Sequence, residues 1–118
     1  MVKGTSVARI VNLEAGHPTV EQAIIRMNQG ICSARASGTK AIKLVHGYGS
    51  SGKGGAIRLA VFKELEAKKT AGIIKEFVPG DAFTPFSPVG RKALALMPEF
   101  SKDRDYSRGN RGITLVLF

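Results

Sequence analysis

Apolar residues in the first third of the chain form two patterns with different periods. Residues 6–13 hold apolar side chains without strict alternation, which predicts a strand covered on both faces. Apolar residues then recur every three or four positions through 20–34, which predicts an amphipathic helix. Thr19 and Gln22 have the spacing of a capping box, and Gly38 follows where a helix end commonly needs a left-handed residue. The chain therefore begins with a predicted strand and a capped helix.

The next part of the chain repeats this alternation. Short apolar runs predict strands at 41–45, 73–78 and 112–118, and a helical period predicts a helix over 56–69. A strand, helix, strand, helix, strand order is typical of an α/β fold, in which a helical crossover makes neighbouring strands parallel. We therefore expect an α/β layer fold.

The connection at 79–111 is too long for an ordinary loop and is rich in Pro, Gly, Asp and Ser. A short helix is predicted at 91–97, whereas 102–111 has the composition of a solvated charged loop. The segment also carries these apolar side chains: Phe83, Phe86, Leu94, Leu96, Met97 and Phe100. Because they are too many for a free linker, we expect part of the segment to pack and to lie near the strand ends.

The composition points to a polyanionic partner. The 118 residues suit one domain with one hydrophobic core, spanning 1–118 with the excursion at 79–111. Eighteen Lys and Arg residues against nine Asp and Glu residues give a net charge of +9. Such a field attracts nucleic acid first and an anionic membrane surface second, and it leaves the oligomeric state open.

The cellular location is predicted from the lack of a membrane-spanning run and of an export signal. No apolar run approaches the ~18 residues that span a bilayer, and the N-terminal residues show no apolar core followed by a small-residue cleavage site. We therefore expect a cytoplasmic protein without a membrane partner. The single cysteine, Cys32, excludes an internal disulfide and a multi-cysteine zinc site, and its place on the first helix predicts a core or half-buried thiol.

A glycine-rich turn, HGYGSSGKGG at 46–55, joins the second strand to the second helix. Glycine permits a positive φ and a close ligand approach, and such a turn presents backbone N–H groups and a helix N-terminus at the edge where strands end. Four side chains add donors: Ser50, Ser51, Lys53 and Arg58. The turn is thus predicted to bind phosphate. The alternative is a surface loop that needs glycine for turning alone.

The same turn nearly matches a P-loop. Its segment GYGSSGK has the required spacing, but Gly54 follows where a P-loop has the Ser or Thr that binds Mg²⁺. The end of the first strand offers Asn12 and Glu14 instead of an aspartate. These departures disfavour a nucleotide hydrolase.

Four short motifs in order resemble the small MutS-related (Smr) domain family. They are VNLEAG at 11–16, TVEQA at 19–23, HGYG at 46–49 and GITLVLF at 112–118, and the match runs over about 10–118. The resemblance implies a two-layer α/β sandwich of βαβαβ…β order, similar to the C-terminal domain of translation initiation factor three. It also implies binding of DNA or RNA and, in some members, endonuclease activity.

Two positions depart from the family motif, because Asn12 and Glu14 stand where it has Asp and His. Asparagine is neither a general base nor an anionic metal ligand at neutral pH. We therefore expect nuclease activity to be absent or very weak, with Glu14 and His46 as candidate catalytic residues and His17 as a further candidate. Mg²⁺ or Mn²⁺ is expected only for a nuclease, and no metal ligand is assigned. The alternatives are a hydrogen-bonded anchor for His46 and a solvated loop for Glu14 and His17.

Three functions follow in order of preference. The first is a nucleic-acid-binding domain that grips backbone phosphates, with Tyr48 placed to stack on a base. Its predicted binding residues are His46, Gly47, Tyr48, Gly49, Ser50, Ser51, Lys53 and Arg58. The second function is a metal-assisted endonuclease of the Smr type. The third is a protein-interaction or small-anion-binding module that shares the fold.

Overall fold

The computed structural model describes residues 8–47 and 53–118. Two short 3₁₀ turns, Gly80–Ala82 and Pro98–Lys102, flank the third helix. In chain order, the strands and helices are β1 (Arg9–Asn12), α1 (Val20–Ala36), β2 (Ala41–Val45), α2 (Lys53–Thr70), β3 (Glu76–Pro79), α3 (Pro88–Leu96) and β4 (Ile113–Leu117). This order confirms the predicted α/β fold with βαβαβ…β connectivity.

The four strands form one mixed sheet in the order β1-β2-β4-β3. β1 and β2 are parallel neighbours, with Asn12 opposite Val45. β4 lies between β2 and β3 and is antiparallel to both, so β2 and β3 are parallel but not adjacent. The expectation of parallel neighbours is therefore correct for β1 and β2 and wrong for β2 and β3. The carboxyl ends of β1, β2 and β3 meet the amino end of β4 along one side of the sheet, hereafter the carboxyl edge; the opposite side is the amino edge.

α1 and α2 cover one face of the sheet. Their buried stripes pack with alternate residues of β2 and β4 into one cluster: Leu13, Ala23, Met27, Ile31, Ala34, Ile42, Leu44, Ile57, Val61, Leu65, Ile74 and Val116. The capping box is confirmed, since Thr19 Oγ1 accepts from the Gln22 N–H (3.1 Å) and Gln22 Oε1 accepts from the Thr19 N–H (2.9 Å). No helix in the described part of the chain is long and apolar enough to cross a membrane.

The 79–111 excursion covers the other face. Phe83 and Phe100 are fully buried, with ring centroids 5.5 Å apart, and they pack with Ala93 of α3 against β3 and β4. The prediction that part of this segment packs is confirmed, with α3 starting at Pro88, earlier than predicted. Two of the apolar residues expected to pack are exposed instead: Phe86 at 87% and Leu96 at 43%.

The predicted burial of β1 is wrong on one side of the sheet. The apolar pattern predicts cover on both faces, but Ile10 is 53% exposed. Only the helical face is covered: a Cβ at Gly30 would lie 2.9 Å from a methyl group of Val11, so α1 crosses close above this strand. The excursion packs on β3 and β4 and leaves the other face of the edge strand open.

The 102–111 segment is not simply a solvated loop. Asp103 and Asp105 are buried against Lys43 of β2, whose Nζ lies 2.6 Å from Asp103 Oδ1 and 2.7 Å from Asp105 Oδ2. These three residues are called the Lys43 ion cluster below. A lysine in the middle of a buried strand needs a nearby counter-charge, and this segment supplies it.

Two smaller expectations also change. β3 begins later than predicted, because Gly72 (φ 77°) and Ile73 still bond back to the carbonyls of Lys69 and Lys68 and so end α2. Cys32 is exposed rather than half-buried, because it lies off the helical stripe whose buried members include Met27 and Ile31 of α1.

Candidate nucleic-acid interface

The first side chains at the carboxyl edge belong to the turn after β1. Asn12 Oδ1 accepts hydrogen bonds from the backbone N–H groups of Glu14 (2.9 Å) and Ala15 (3.0 Å), which closes the turn. The Arg26 guanidinium holds the far side of the turn by donating to the Ala15 carbonyl at 2.7 Å. The Asn12 amide is therefore committed to local structure, in the position where the resemblance expects an aspartate.

This turn brings Glu14 against the turn that follows β2. Gly47 has φ 78°, and a Cβ added there would collide with the Glu14 carboxylate. The positive φ thus favours glycine at this position, and a side chain there would also displace the Glu14 carboxylate. The structure brings together Glu14, His46 and Gly47, whereas His17 lies exposed one turn away with φ 52°.

His46 is 1% exposed and hydrogen-bonded through both ring nitrogens. Its Nδ1 lies 3.1 Å from the Gly47 carbonyl and its Nε2 lies 2.9 Å from Thr114 Oγ1 on β4. Burial lowers the pKa of His46 below its ordinary value of 6.5. The positive charge of Arg58 also lowers this pKa, whereas the hydrogen bond with Gly47 raises it and offsets only part of the shift. The neutral ring then donates from Nδ1 to the carbonyl and accepts at Nε2 from the Thr114 hydroxyl. Both ring nitrogens therefore hold the turn in place, which is the anchoring role that the sequence analysis gave as the alternative to catalysis.

The backbone of the turn after β2 is tied to β4. The N–H groups of His46 and Gly47 both donate to the Gly112 carbonyl at 3.0 Å. The predicted binding residues that follow are Tyr48, Gly49, Ser50, Ser51 and the side chain of Lys53, and they lie outside the described residues. α2 begins at Lys53, so its N-terminus lies at the carboxyl edge.

Arg58 reaches this edge from α2. Its guanidinium carbon lies 4.6 Å from the centre of the Phe62 ring, and its Nη2 lies 3.6 Å from Asp81 Oδ1. Arg111 approaches the same carboxylate from the other side, with Nε 3.9 Å from Asp81 Oδ2. Arg58, Asp81 and Arg111 are called the edge arginine cluster below.

The edge arginine cluster carries more positive than negative charge. Two guanidinium groups share one carboxylate through long contacts, and the Arg58 Nε is buried with no hydrogen-bond partner. Asp81 and Arg111 were not among the predicted site residues. Gly80 allows Asp81 and Arg111 to come together. A Cβ at Gly80 would collide with the backbone of Asn110, so only glycine lets the start of the excursion pack this closely against the residues before β4.

The described residues do not fit a divalent metal site. Across 8–47 and 53–118, no group of three His, Cys, Asp or Glu side chains is arranged to hold a metal ion. Residues 1–7 and 48–52 contain none of these four residue types. Glu14 would therefore stand without the second carboxylate that Mg²⁺ or Mn²⁺ sites in proteins commonly use, and both ring nitrogens of His46 are already hydrogen-bonded.

A solved structure shares this arrangement of strands and helices. It is the crystal structure of the Smr domain of Thermus thermophilus MutS2, which superposes with a TM-score of 0.57. The two sequences are 24% identical, and the alignment covers 93% of this chain and 96% of that one. The chain has the Smr fold. No protein-family model and no curated protein matches the sequence. The Smr fold confirms the structural part of the resemblance that the four motifs indicated.

Proposed function

We propose that this Smr-fold chain is a nucleic-acid-binding domain that holds backbone phosphates at the carboxyl edge. The observation that carries the proposal is the surplus positive charge of the edge arginine cluster. A phosphate within hydrogen-bond distance would accept the guanidinium donors that meet the Asp81 carboxylate only at 3.6 and 3.9 Å.

The N-terminus of α2 supports the same proposal. Its first turn holds no acidic residue, whereas the first turn of α1 holds Glu21. The partial positive charge at the start of α2 is therefore not offset by a carboxylate of its own first turn. With a net charge of +9 over 118 residues, the whole chain also attracts a polyanion.

Binding assays on labelled RNA and DNA test this proposal. Affinity should fall steeply with added salt, because each neutralised phosphate releases counterions. Arg58→Ala and Lys53→Ala should weaken binding of all sequences about equally and lower the salt slope by about 1 each. Arg58→Lys, which keeps the charge, should retain most of the slope.

Arg35→Ala provides the matched control. Arg35 lies exposed in the last turn of α1, at the amino edge, so its loss removes the same charge from the far side of the sheet. A salt-independent affinity would contradict phosphate binding. Equal effects of Arg58→Ala and Arg35→Ala would show that the carboxyl edge is not the site.

Cleavage is the second candidate function, favoured by one observation: the Glu14 carboxylate lies against Gly47, the residue that follows His46 in the chain. We expect the parent chain to cleave very weakly or not at all, because the Asn12 amide cannot take a proton and is already hydrogen-bonded. A missing acid or base typically costs ~10²–10⁴ in rate.

The same substrates should be incubated with Mg²⁺ or Mn²⁺ and four proteins: the parent, Glu14→Gln, His46→Ala and Asn12→Asp. A gain of cleavage in Asn12→Asp would support the interpretation of that position. Metal-stimulated cleavage by the parent that is lost in both Glu14→Gln and His46→Ala would overturn it. Circular dichroism of His46→Ala separates loss of chemistry from loss of the fold, since His46 is buried.

A further inference from the structure

One aromatic ring stands out from the packed side chains of the excursion. Phe86 is 87% exposed, which is the highest value among the large apolar residues that the structure describes; Leu59 follows at 67%. Its neighbours Phe83 and Phe100 are fully buried. Leaving a ring of this size in water forfeits the favourable free energy of burying it.

The segment that carries Phe86 is held in place by hydrogen bonds. The Phe86 N–H donates to Thr84 Oγ1 at 3.1 Å. One residue later, Ser87 caps α3 by accepting from the Gly90 N–H at 2.9 Å, and its hydroxyl donates to the Ala82 carbonyl. The ring therefore projects from an anchored turn and not from a loose tip.

A cation lies against the backbone of the turn that carries Phe86. Arg91 is exposed on the first turn and a half of α3, and its Nη1 donates to the carbonyl of Pro85 at 3.2 Å, directly before Phe86. The turn follows the Gly80–Ala82 segment, whose Asp81 belongs to the edge arginine cluster. An exposed ring and a guanidinium group next to a basic edge are the two components of single-strand binding sites, where bases stack on aromatics and cations follow the phosphates.

We propose that Phe86 is a stacking platform for an unpaired nucleobase, with Arg91 on the adjoining phosphate. The inference rests on the proposed function and names its substrate class as single-stranded nucleic acid or unpaired loops. A base inside a duplex has both faces covered by its neighbours, so only an unpaired base can present a free face to this ring.

Substitution of the ring tests the contact. Phe86→Ala should reduce affinity for a single-stranded oligonucleotide about fivefold or more, which is the effect of removing one stacked aromatic. Phe86→Leu, which keeps an apolar side chain but no aromatic face, should show most of that loss. The salt slope should stay unchanged because no charge is removed, in contrast to Arg58→Ala. Leu96→Ala, at the other end of α3, is the matched control for loss of an exposed apolar side chain.

Fluorescence gives a second readout. The chain has no tryptophan, so Phe86→Trp introduces a single indole at the proposed contact, and Leu96→Trp places one at the amino edge. A stacked base should quench the indole emission of the Phe86→Trp variant on addition of single-stranded oligonucleotide, while duplex of the same sequence should not. The Leu96→Trp variant should respond to neither.

The outcomes separate the two proposals. Binding with unchanged affinity in Phe86→Ala, or without quenching in Phe86→Trp, overturns the stacking contact and leaves phosphate binding at the carboxyl edge intact. Equal losses for single strand and duplex in Phe86→Ala show a contact other than base stacking and overturn it as well. If the parent chain binds no oligonucleotide, both proposals are wrong.

Discussion

The two charged clusters of this molecule are built in opposite ways. The Lys43 ion cluster is buried, and its contacts are 2.6 and 2.7 Å long. The edge arginine cluster is partly exposed, and its contacts are 3.6 and 3.9 Å long. One cluster joins the excursion to the sheet, while the other lies where the strands end.

The balance of positive and negative charges also differs. One ammonium meets two carboxylates in the Lys43 ion cluster, and the second negative charge is stabilised by donors: Asn110 Nδ2 lies 2.9 Å from Asp105 Oδ1, and the Asp105 N–H donates to Asp103 Oδ1 at 2.9 Å. The edge arginine cluster has two cations and one anion, and its ion pairs are long and partly exposed. Burial demands that every charge be satisfied, whereas a surface site can keep donors for a ligand.

The largest expected effect comes from breaking the buried cluster. Lys43→Ala should lower the free energy of unfolding by about 3–5 kcal/mol, because it leaves two carboxylates buried without their cation. Arg111→Ala at the exposed cluster should cost less than about 1 kcal/mol, since its side chain is 64% exposed and its ion pair is long. Urea unfolding followed by circular dichroism measures both.

A volume control separates charge from packing in this experiment. Lys43→Met nearly preserves the side-chain volume, so its destabilising effect should come from the loss of the positive charge next to the two buried carboxylates. Combining it with Asp103→Asn and Asp105→Asn should recover part of the loss, because the buried charges are then gone. Similar stabilities of Lys43→Ala and Arg111→Ala would contradict the distinction between the clusters.

The partners of Lys43 show where sequence reasoning ended. The apolar neighbours of Lys43 predict the strand. They do not predict which acidic residues neutralise the lysine in the middle of it. Asp103 and Asp105 lie 60 and 62 positions further along the chain, in a stretch whose polar composition predicts solvent. The local pattern of apolar residues predicts helices and strands. An ion pair between the sheet and the excursion depends instead on how the long excursion folds back.

At the candidate site, local motifs were informative and the excursion was not. The capping box at Thr19 and the strand leading to His46 are confirmed, because both depend on residues close in sequence. The position of Asp81 and the exposure of Phe86 depend on tertiary packing of the excursion, and apolar composition alone predicts that Phe86 packs with its neighbours. The roles proposed for the turn residues stay predictions.

A smaller effect should appear as pH dependence, and it distinguishes the two regions again. Burial holds the pKa of His46 below 6.5, so its contribution to stability is complete above that pH and is lost as the pH falls toward the lowered value. For Asp105, burial raises the pKa, but the hydrogen bonds from Asn110 and Lys43 outweigh it and the pKa falls below 3.8. Its contribution is therefore complete above the ordinary value and is lost at still lower pH.

Urea midpoints measured across the acid range should accordingly fall in two stages. The first stage belongs to His46 at the carboxyl edge. The second belongs to the two carboxylates with a lowered pKa, Asp105 of the Lys43 ion cluster and Glu76, which accepts hydrogen bonds from Lys69 and Lys92. NMR titration of the His46 ring checks the first assignment directly, with the urea-unfolded chain as reference. A His46 pKa at or above the unfolded value, or a single stage of destabilisation, would contradict this assignment.

The smallest effect tests whether the edge arginine cluster keeps its cations available. Asp81→Asn removes the anion that Arg58 and Arg111 share while preserving the size of the side chain. Affinity for single-stranded oligonucleotides should rise about two- to fivefold at low ionic strength, because two cations lose a competing carboxylate and the effect is screened by salt. Stability should change by less than about 1 kcal/mol, since the Asp81 side chain is 43% exposed. If the affinity falls instead, Asp81 positions the two arginines for their ligand, and the cluster would then resemble the buried one in needing its counter-charge.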